Sequence, residues 1–326
     1  MFPLGAYLGA LFGAFIVTIL VMPFWIRWCS RNGIIDDPGG RKIHDSAIPL
    51  AGGLAVLTGI AIPLLAGTTV IQFGWFQPDG ITELQHGLLR RGQQLLLILL
   101  GAVAMTALGW YDDKHELSAR TKFAGQAIIA LFVAISGTKI TLFIHSDLFA
   151  YAVTVLWIVG VTNAMNFLDN MNGLCGGLGA IAAAAFTAIA VMHGQYLVAI
   201  FCLLTCGALL AFLPFNFPKA STFLGDSGSH LVGYLLAILA ILPDFYSDKH
   251  PKEWRVLTPL LILAVPLLDM AWVVYSRWRR RQAIYLGDNT HISHRLVKLG
   301  LTKTQAVIAV WLIGLACAVG AVLLNA

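Results

Sequence analysis

Apolar stretches about as long as a membrane-spanning helix recur along the whole chain. A helix needs roughly 20 residues to cross a hydrocarbon core of ~30 Å, and only helices or closed barrels satisfy the backbone in lipid. The stretches are continuously apolar and do not alternate, which favours helices over barrel strands. They lie at about 4–27, 49–70, 93–110, 122–136, 148–162, 174–193, 196–214, 228–243, 256–276 and 304–324. The sequence therefore predicts an all-α, polytopic membrane helix bundle of about ten transmembrane helices, forming one domain over residues 1–326.

The composition excludes an ordinary water-soluble domain. Hydrophobic residues make up 58% of the chain and charged residues only 11%, whereas a soluble domain carries about 25% charged residues. The net charge of +5 comes from cations beside the predicted spans, so membrane orientation explains it better than nucleic-acid binding. The five cysteines show no close CxxC spacing, so neither a disulfide framework nor a zinc site is predicted.

The distribution of Lys and Arg predicts how the chain lies in the membrane. Ten spans place both termini on one side and divide the loops into two alternating sets. Of the 21 Lys and Arg residues, 15 fall in one set, at about 27–48, 111–122, 163–173, 215–227 and 277–303. Because cytoplasmic loops carry the excess of Lys and Arg, this set is predicted to be cytoplasmic and both termini extracytoplasmic.

The same five loops carry nearly all of the unusual polar clusters. Each cluster has an ordinary explanation, such as solvated loop acids, a helix N-cap or an orientation signal, but their coincidence on one face favours a site. Asp and Asn oxygens with few His or Cys nearby suit Mg²⁺ or Mn²⁺, which commonly bring a phosphate with them. The clusters contain Asp36-Asp37 with Arg41, Lys42 and His44, then Asp112-Asp113 with Lys122, Asn163 to Asn172, Gly225-Asp226-Ser227-Gly228-Ser229, and His291 with His294.

Two further features bear on function. Asp269 lies inside the ninth span, where an ionisable residue is by default either functional or critical for packing. His291 and His294 are three residues apart, so on a helix they would face the same direction. A pair of loop histidines without a function is the more common outcome, and both readings stay open from spacing alone.

Four motifs in this order resemble those of the polyprenyl-phosphate N-acetylhexosamine-1-phosphate transferases. They are Asp112-Asp113, Asn163-Ala-Met-Asn166-Phe-Leu-Asp169, Gly225-Asp226-Ser-Gly-Ser and His291-x-x-His294-Arg295. Arg41-Lys42-x-His44, followed by Pro49 and Gly52-Gly53, fits the same family, and the resemblance covers about residues 20 to 300. It implies a multi-pass enzyme of the inner (plasma) membrane whose active site faces the cytoplasm. The implied reaction moves N-acetylhexosamine-1-phosphate from a UDP-N-acetylhexosamine to a polyprenyl phosphate such as undecaprenyl phosphate, with release of UMP, to start cell-envelope polysaccharide synthesis.

The resemblance also implies roles for individual residues. Asp226 and Asn166 are expected to hold Mg²⁺, with Mn²⁺ as the alternative ion. Asp112 is expected to orient or deprotonate the lipid phosphate, and Asp113 to help place the metal or the base. Further substrate contacts are expected from Lys42, His44 and Lys122 at the phosphates, Phe223 on the uracil, Asp169 and Asn172 at the nucleotide, and His291 and His294 at the diphosphate or sugar.

The branch of the family is indicated by the histidine motif. Relatives that transfer the muramoyl pentapeptide carry consecutive histidines, whereas His291-Ile-Ser-His294 resembles the N-acetylglucosamine-1-phosphate branch. Many members also carry an acid where this chain has Asn172. The alternatives are phospho-N-acetylmuramoyl-pentapeptide transferase activity and, in another class, a secondary transporter, which would place its ionisable residues near mid-bilayer. The oligomeric state stays open, with a homodimer as the assembly considered.

Overall fold

The computed structural model of the chain describes residues 3–36, 47–74, 81–243, 245, 252–283 and 290–326. A helix lies in each of the ten apolar stretches, so the all-α prediction is confirmed. Within these ranges the helices are α1 (Leu4–Arg31), α2 (Gly52–Phe73), α3 (Ile81–His115), α4 (Ala119–Ile135), α5 (Asp147–Leu168), α6 (Leu174–Met192), α7 (Tyr196–Asn216), α8 (Gly225–Leu239), α9 (Thr258–Ile262), α10 (Ala264–Arg279), α11 (Ile292–Lys298) and α12 (Lys303–Asn325), with a 3₁₀ turn at Glu253–Leu257.

Seven of the helices in the described part of the chain are long and apolar enough to cross a membrane, or eight if a bent pair counts as one span. The bent pair is the ninth predicted span, in which residues Glu253–Ile262 and α10 meet at an angle of 71°. Pro266 lacks the N–H that would bond to the carbonyl of Ile262, which explains why a straight helix cannot continue there. α4 and α8, with 17 and 15 residues, are shorter than a full span.

The helix α8 is the centre of the molecule. Thirteen of its 15 residues are buried, and it packs against α2, α3, α5 and α6. Its Tyr234 hydroxyl donates a hydrogen bond of 2.9 Å to the carbonyl of Ile98 on α3. The outer helices behave differently, because α1 and α12 expose large apolar side chains such as Leu20 and Leu323, 70% and 69% exposed. An apolar outer surface of this kind belongs in lipid, and the protein is a membrane protein.

A small sheet lies near the start of α2. Its strands, β1 (Ile35–Asp36) and β2 (Ile48–Pro49), are antiparallel, with Ile35 opposite Pro49. The carbonyl of Pro49 accepts hydrogen bonds from the backbone of Phe223 (3.0 Å) and the side chain of Thr222 (2.7 Å). The first and seventh loops are thereby held together. The predicted site residues Lys42 and His44 belong to residues 37–46, which lie outside the described part of the chain.

Candidate active site

The C-terminal end of α3 and the start of α8 are in close contact through two glycines. A Cβ atom on Gly109 would lie 2.3 Å from the carbonyl oxygen of Asp226, so no larger residue fits there without a shift. Gly225 adopts a φ of +66°, a conformation that favours glycine, and a Cβ there would lie 2.7 Å from the Asp113 carboxylate. The sequence thus brings the Asp112-Asp113 pair directly against Asp226.

The side chain of Asp113 forms hydrogen bonds with the backbone of α8. Its two carboxylate oxygens accept hydrogen bonds from the N–H groups of Asp226 (2.7 Å) and Ser227 (3.0 Å). These are orphan donors of the first turn, which the N-cap residue Leu224 cannot satisfy with its side chain. Asp113 therefore acts as a cap supplied by another helix, and it fixes the position of Asp226.

Asp112, Lys122 and Asp226 meet at the junction of α3, α4 and α8. The ammonium group of Lys122 forms ion pairs with Oδ2 of Asp112 and, at 2.8 Å, with Oδ2 of Asp226. The other oxygen of Asp112 accepts from the backbone N–H of Leu117 at 2.7 Å. Asp112 is only 3% exposed, so this arrangement places a buried carboxylate and a half-buried one on a single cation.

The fourth helix of this junction is α5, which supplies Asn166. Its amide nitrogen donates to Oδ1 of Asp226 (2.7 Å) and to the hydroxyl of Ser229 (2.9 Å). Asp226 is therefore held on both oxygens, by Lys122 on one side and by Asn166 on the other. We call Asp112, Asp113, Asp169 and Asp226, together with Lys122 and Asn166, the acidic cluster.

Asp169, the fourth carboxyl group of the acidic cluster, follows directly on α5 as its C-cap. Burial, together with the negative charges of Asp226 and Asp113, raises the pKa of Asp169 to about 8. Among the described residues, Lys122 provides the ion pairs of the acidic cluster. The raised pKa of Asp169 shows that the carboxyl groups disfavour one another's negative charge, and a further cation bound among them would relieve this repulsion.

The chemistry of the acidic cluster fits a magnesium ion that also binds phosphate. Asp112 and Asp226 direct oxygen atoms at the same positive charge, and carboxylate oxygens are the ligands that Mg²⁺ prefers. No group of three or more His, Cys, Asp or Glu side chains is arranged to hold a metal within the described ranges. A magnesium ion would thus need water or phosphate oxygens as well, which is its usual coordination in phosphate-binding sites.

A second polar layer lies one helical turn below the acidic cluster, and sequence reasoning missed two of its members, Gln126 and His230. The amide nitrogen of Asn163 donates to Gln126 (2.6 Å), and the amide nitrogen of Gln126 lies 3.2 Å from Nε2 of His230. Gln126 and His230 are fully buried. The available signal was the spacing, because Gln126 and His230 each follow a member of the acidic cluster, Lys122 or Asp226, by four residues.

Asn172 has a structural partner that explains the amide at this position. Its amide nitrogen donates to the carbonyl of Pro218 at 3.2 Å. The neighbouring Gly173 N–H donates to the side chain of Asn216 at 2.5 Å, and that side chain donates to the carbonyl of Thr222 at 2.9 Å. The fifth loop is thereby tied to the seventh. A carboxylate at position 172 could not donate to a carbonyl, so an acid here would lose this bond.

Phe223 lies on the side of the site where the small sheet begins. It is half-buried and packs with an apolar cluster that includes Cys29, Ile34 and Leu50. Its backbone carbonyl accepts a hydrogen bond of 2.9 Å from the N–H of Gly52 at the start of α2.

His291 and His294 lie in a second polar group, formed by α10, α11 and the end of α5. His291 is the N-cap of α11, and the two imidazole rings are 6.2 Å apart, so they share one side of the helix as the spacing predicted. Nδ1 of His291 lies 2.7 Å from Oδ2 of Asp269. Burial lowers the pKa of His294, and the neighbouring His291 lowers it further. We call His291, His294 and Asp269 the histidine cluster.

The histidine cluster adjoins the acidic cluster through α5. The ring of Phe167, next in sequence to Asn166, contacts the ring of His291 edge to face at 6.3 Å. The hydroxyl of Ser293 donates to Asn170 at 2.6 Å, which ties α11 to the loop after α5. Of the predicted site residues that the structure describes, those from α3, α4, α5, α8 and α11 are thus brought to one end of the bundle.

Comparison with known proteins agrees with this arrangement. Residues 95–244, from α3 to just beyond α8, match the family model described as glycosyl transferase family 4. The chain is 33% identical over 325 residues to a probable undecaprenyl-phosphate N-acetylglucosaminyl 1-phosphate transferase of Bacillus subtilis (strain 168), covering 96% of this chain and 84% of the relative.

Two other relatives have similar names. A decaprenyl-phosphate N-acetylglucosaminephosphotransferase of Mycobacterium tuberculosis (strain ATCC 25618 / H37Rv) is 30% identical over 315 residues, covering 87% of this chain and 74% of the relative. An undecaprenyl-phosphate alpha-N-acetylglucosaminyl 1-phosphate transferase of Escherichia coli (strain K12) is 28% identical over 320 residues, covering 93% and 79%. With this similarity over nearly its whole length, and with the family match spanning the acidic cluster, the chain belongs to glycosyl transferase family 4, among the polyprenyl-phosphate N-acetylhexosamine-1-phosphate transferases.

Proposed function

We propose that this protein transfers N-acetylglucosamine-1-phosphate from a UDP-sugar to a polyprenyl phosphate, most simply undecaprenyl phosphate, and releases UMP. The relatives are named for transfer to undecaprenyl or decaprenyl phosphate, and the names specify N-acetylglucosamine. The observation that carries the proposal is the convergence of Asp112, Lys122 and Asp226 from three helices on one point at the end of the bundle. The reaction would start the synthesis of a cell-envelope polysaccharide.

Mg²⁺ is the proposed cofactor, with Mn²⁺ as the alternative. Asp226 and Asn166 would hold the ion, since the Asn166 amide already donates to the carboxylate of Asp226, and Asp112 would lie beside it. When bound, the ion would neutralise the donor diphosphate and stabilise the charge on the departing UMP. The surplus of carboxyl groups in the acidic cluster supports this assignment.

The remaining residues of the acidic cluster would position the two anionic substrates. Lys122 already carries its charge to the centre of the cluster, where it would attract a phosphate as a point charge. Asp112 would orient the lipid phosphate. Because the second pKa of a phosphate is about 6, the acceptor needs little deprotonation at neutral pH, and positioning matters more than base catalysis.

The donor would lie across both clusters. Asp169 of the acidic cluster would contact the nucleotide, together with Asn172 and Phe223 from the fifth and seventh loops. His291 and His294 would contact the diphosphate or the sugar. Lys42 and His44 are proposed to bind phosphate on the strength of the sequence motif, since they lie outside the described residues.

We further propose that the chain crosses the inner (plasma) membrane ten times. Both termini would be extracytoplasmic, and the site would face the cytoplasm. This arrangement is supported by the directions of the helices: α3 and α5 end at the acidic cluster, whereas α4 and α8 begin there. At the other end of the bundle, Asn325 near the C-terminus donates to the hydroxyl of Thr258 at the start of α9 (2.8 Å). The excess of Lys and Arg on the cluster side fits a cytoplasmic site, where a UDP-sugar would be available.

A donor panel would test the proposed function. Purified protein in lipid nanodiscs is incubated with undecaprenyl phosphate and one radiolabelled UDP-sugar at a time, and lipid-extractable label and UMP are both measured. We expect equal amounts of labelled lipid and UMP with UDP-N-acetylglucosamine. Label from UDP-muramoyl-pentapeptide alone would identify the other branch of the family. A transporter would give neither labelled lipid nor UMP in nanodiscs but would take up the UDP-sugar when reconstituted into vesicles. A stoichiometric burst of UMP without lipid phosphate would indicate a covalent intermediate.

A further inference from the structure

Asp269 is an acid in the apolar second half of a broken span, and both of its oxygens are used. Oδ2 lies 2.7 Å from Nδ1 of His291, and Oδ1 accepts a hydrogen bond of 2.7 Å from the N–H of Ile292. The two side chains of this pair, Asp269 and His291, are 6% and 5% exposed. Because both bonds run to the start of α11, Asp269 sets the position of that helix and the orientation of the His291 ring.

The pairing with Asp269 decides where the proton of His291 resides. A carboxylate accepts hydrogen bonds and cannot donate them, so Nδ1 of His291 must carry a hydrogen. The other ring nitrogen, Nε2, is then left for a ligand, since the hydrogen bonding of the ring within the described residues goes to Asp269 alone.

Several cations lie near the histidine cluster, in contrast to the acidic cluster next to it. Arg295 and Lys298 lie on the last turn of α11, and the guanidinium group of Arg277 stacks 5.1 Å from the centre of the Phe167 ring. Phe167 contacts His291 and directly follows Asn166 of the acidic cluster in sequence, so the two clusters are neighbours. A diphosphate bound between a divalent cation on one side and these positive groups on the other would be neutralised from both sides.

We infer that Asp269 is a positioning residue that holds His291 with Nδ1 protonated and Nε2 unprotonated, so that Nε2 accepts a hydrogen bond from a hydroxyl group of the donor's sugar. This inference rests on the proposed function and adds to it the orientation of His291 and the residue that enforces it. Asp269 does not touch the substrate. It acts through its contact with His291. The hydrogen bond to the N–H of Ile292 would be enough if Asp269 only capped α11.

Replacement of Asp269 by Asn separates these two roles. The amide oxygen can still accept from the N–H of Ile292, so the cap of α11 is retained. The amide nitrogen donates to Nδ1, which moves the ring proton to Nε2 in a neutral ring and removes the supporting charge. We expect Asp269→Asn to lower kcat/KM for the donor at least about 100-fold with little change in the thermal unfolding midpoint. Asp269→Glu, which restores a carboxylate, should recover part of the loss.

A second variant covers the case in which Asp269→Asn does not fold. His291→Gln leaves the bond between Asp269 and Ile292 intact and should lose a similar factor. The double variant should lose no more than either single variant, because both substitutions remove the same contact. Asp147→Asn is the control, since this exposed acid pairs with Lys139 far from the site. Activity of His291→Gln, or of a folded Asp269→Asn variant, within about threefold of the parent would overturn the inference.

A spectroscopic measurement separates failure of this inference from failure of the proposed function. Nitrogen-15 spectra of histidine-labelled protein should show a His291 ring protonated at Nδ1, identified by its disappearance in His291→Gln, and Asp269→Asn should change that signal. The result does not depend on transfer activity. A parent protein without transfer activity but with this signal would refute the proposed function alone, whereas a His291 ring without the Nδ1 proton would refute the pairing.

Discussion

The acidic cluster and the histidine cluster lie side by side at one end of the bundle but differ in how their charges are balanced. In the acidic cluster, Asp112 and Asp226 share the single ammonium group of Lys122. In the histidine cluster, one carboxylate has two donors of its own, a ring nitrogen and a backbone N–H. The first is short of positive charge, whereas the second is already satisfied. The acidic cluster is therefore suited to accept a cation, and the histidine cluster to present a side chain in a fixed orientation.

Removal of divalent metal should have the largest effect, because it tests the charge deficit of the acidic cluster directly. With EDTA present, we expect UMP release with UDP-N-acetylglucosamine and undecaprenyl phosphate to fall to background, and excess Mg²⁺ or Mn²⁺ to restore it. The Nδ1 proton of His291 should be unaffected, since the carboxylate of Asp269 already has two hydrogen-bond donors and needs no metal ion. Full activity in EDTA would show that the acidic cluster works without a divalent ion.

Replacement of Asp226 by Asn should have the next largest effect. The substitution keeps the shape of the side chain but removes one of the two carboxylates on the common cation, and we expect a loss of at least about 1,000-fold in kcat/KM. Initial rates of UMP release measure it, and the protein should still insert and bind to the membrane. Asp147→Asn, at an exposed site away from both clusters, is the matched control. A loss smaller than tenfold would remove Asp226 from the mechanism.

The neighbouring acids Asp112 and Asp113 should respond in opposite ways. Asp113→Ala removes both acceptors from the first turn of α8 and should cost about 1–2 kcal/mol of stability, seen as a lower thermal unfolding midpoint. Asp112→Asn should leave that midpoint nearly unchanged while lowering activity at least about 100-fold. Equal midpoints for the two variants would contradict the capping role of Asp113.

Replacement of Asn172 by Asp should have the smallest effect. The carboxylate cannot donate to the carbonyl of Pro218, so one partly exposed hydrogen bond is lost, at a cost of about 0.5–1.5 kcal/mol. We expect a small drop in the unfolding midpoint and activity within about threefold of the parent. A tenfold change in KM for the donor would instead indicate that residue 172 distinguishes nucleotides directly.

The sequence predicted the helical class well and the broken span poorly. Continuous apolar runs are a local property, so helices were found in every stretch where they were predicted. The 71° bend between α9 and α10 depends on how the chain around Pro266 packs, and proline alone does not fix the angle. The burial of α8 on all sides was likewise absent from its composition, because a helix surrounded by lipid and one surrounded by protein are equally apolar.

The residues of the candidate site could be predicted, but their partners could not. Residue types that bind metals and phosphates stood out against an apolar background, which made Asp112, Asp226 and His291 visible in the sequence. Asp113 was predicted beside them, but only the structure assigns its oxygens to the backbone of α8. Gln126 was missed because a lone amide in a helix has no distinctive pattern until its partner is known.

By itself, the sequence determined a membrane-embedded helical protein with acids, amides and histidines gathered in alternate loops. The length of an apolar stretch and the chemistry of its residues are local properties, so each segment can be interpreted from its own sequence. Tertiary structure alone decided that Lys122 meets Asp226, which is 104 positions away, and that Asp269 pairs with His291. Contacts between separate helices depend on which small residues allow close approach and which faces pack together, and that information exists only when the whole chain is folded.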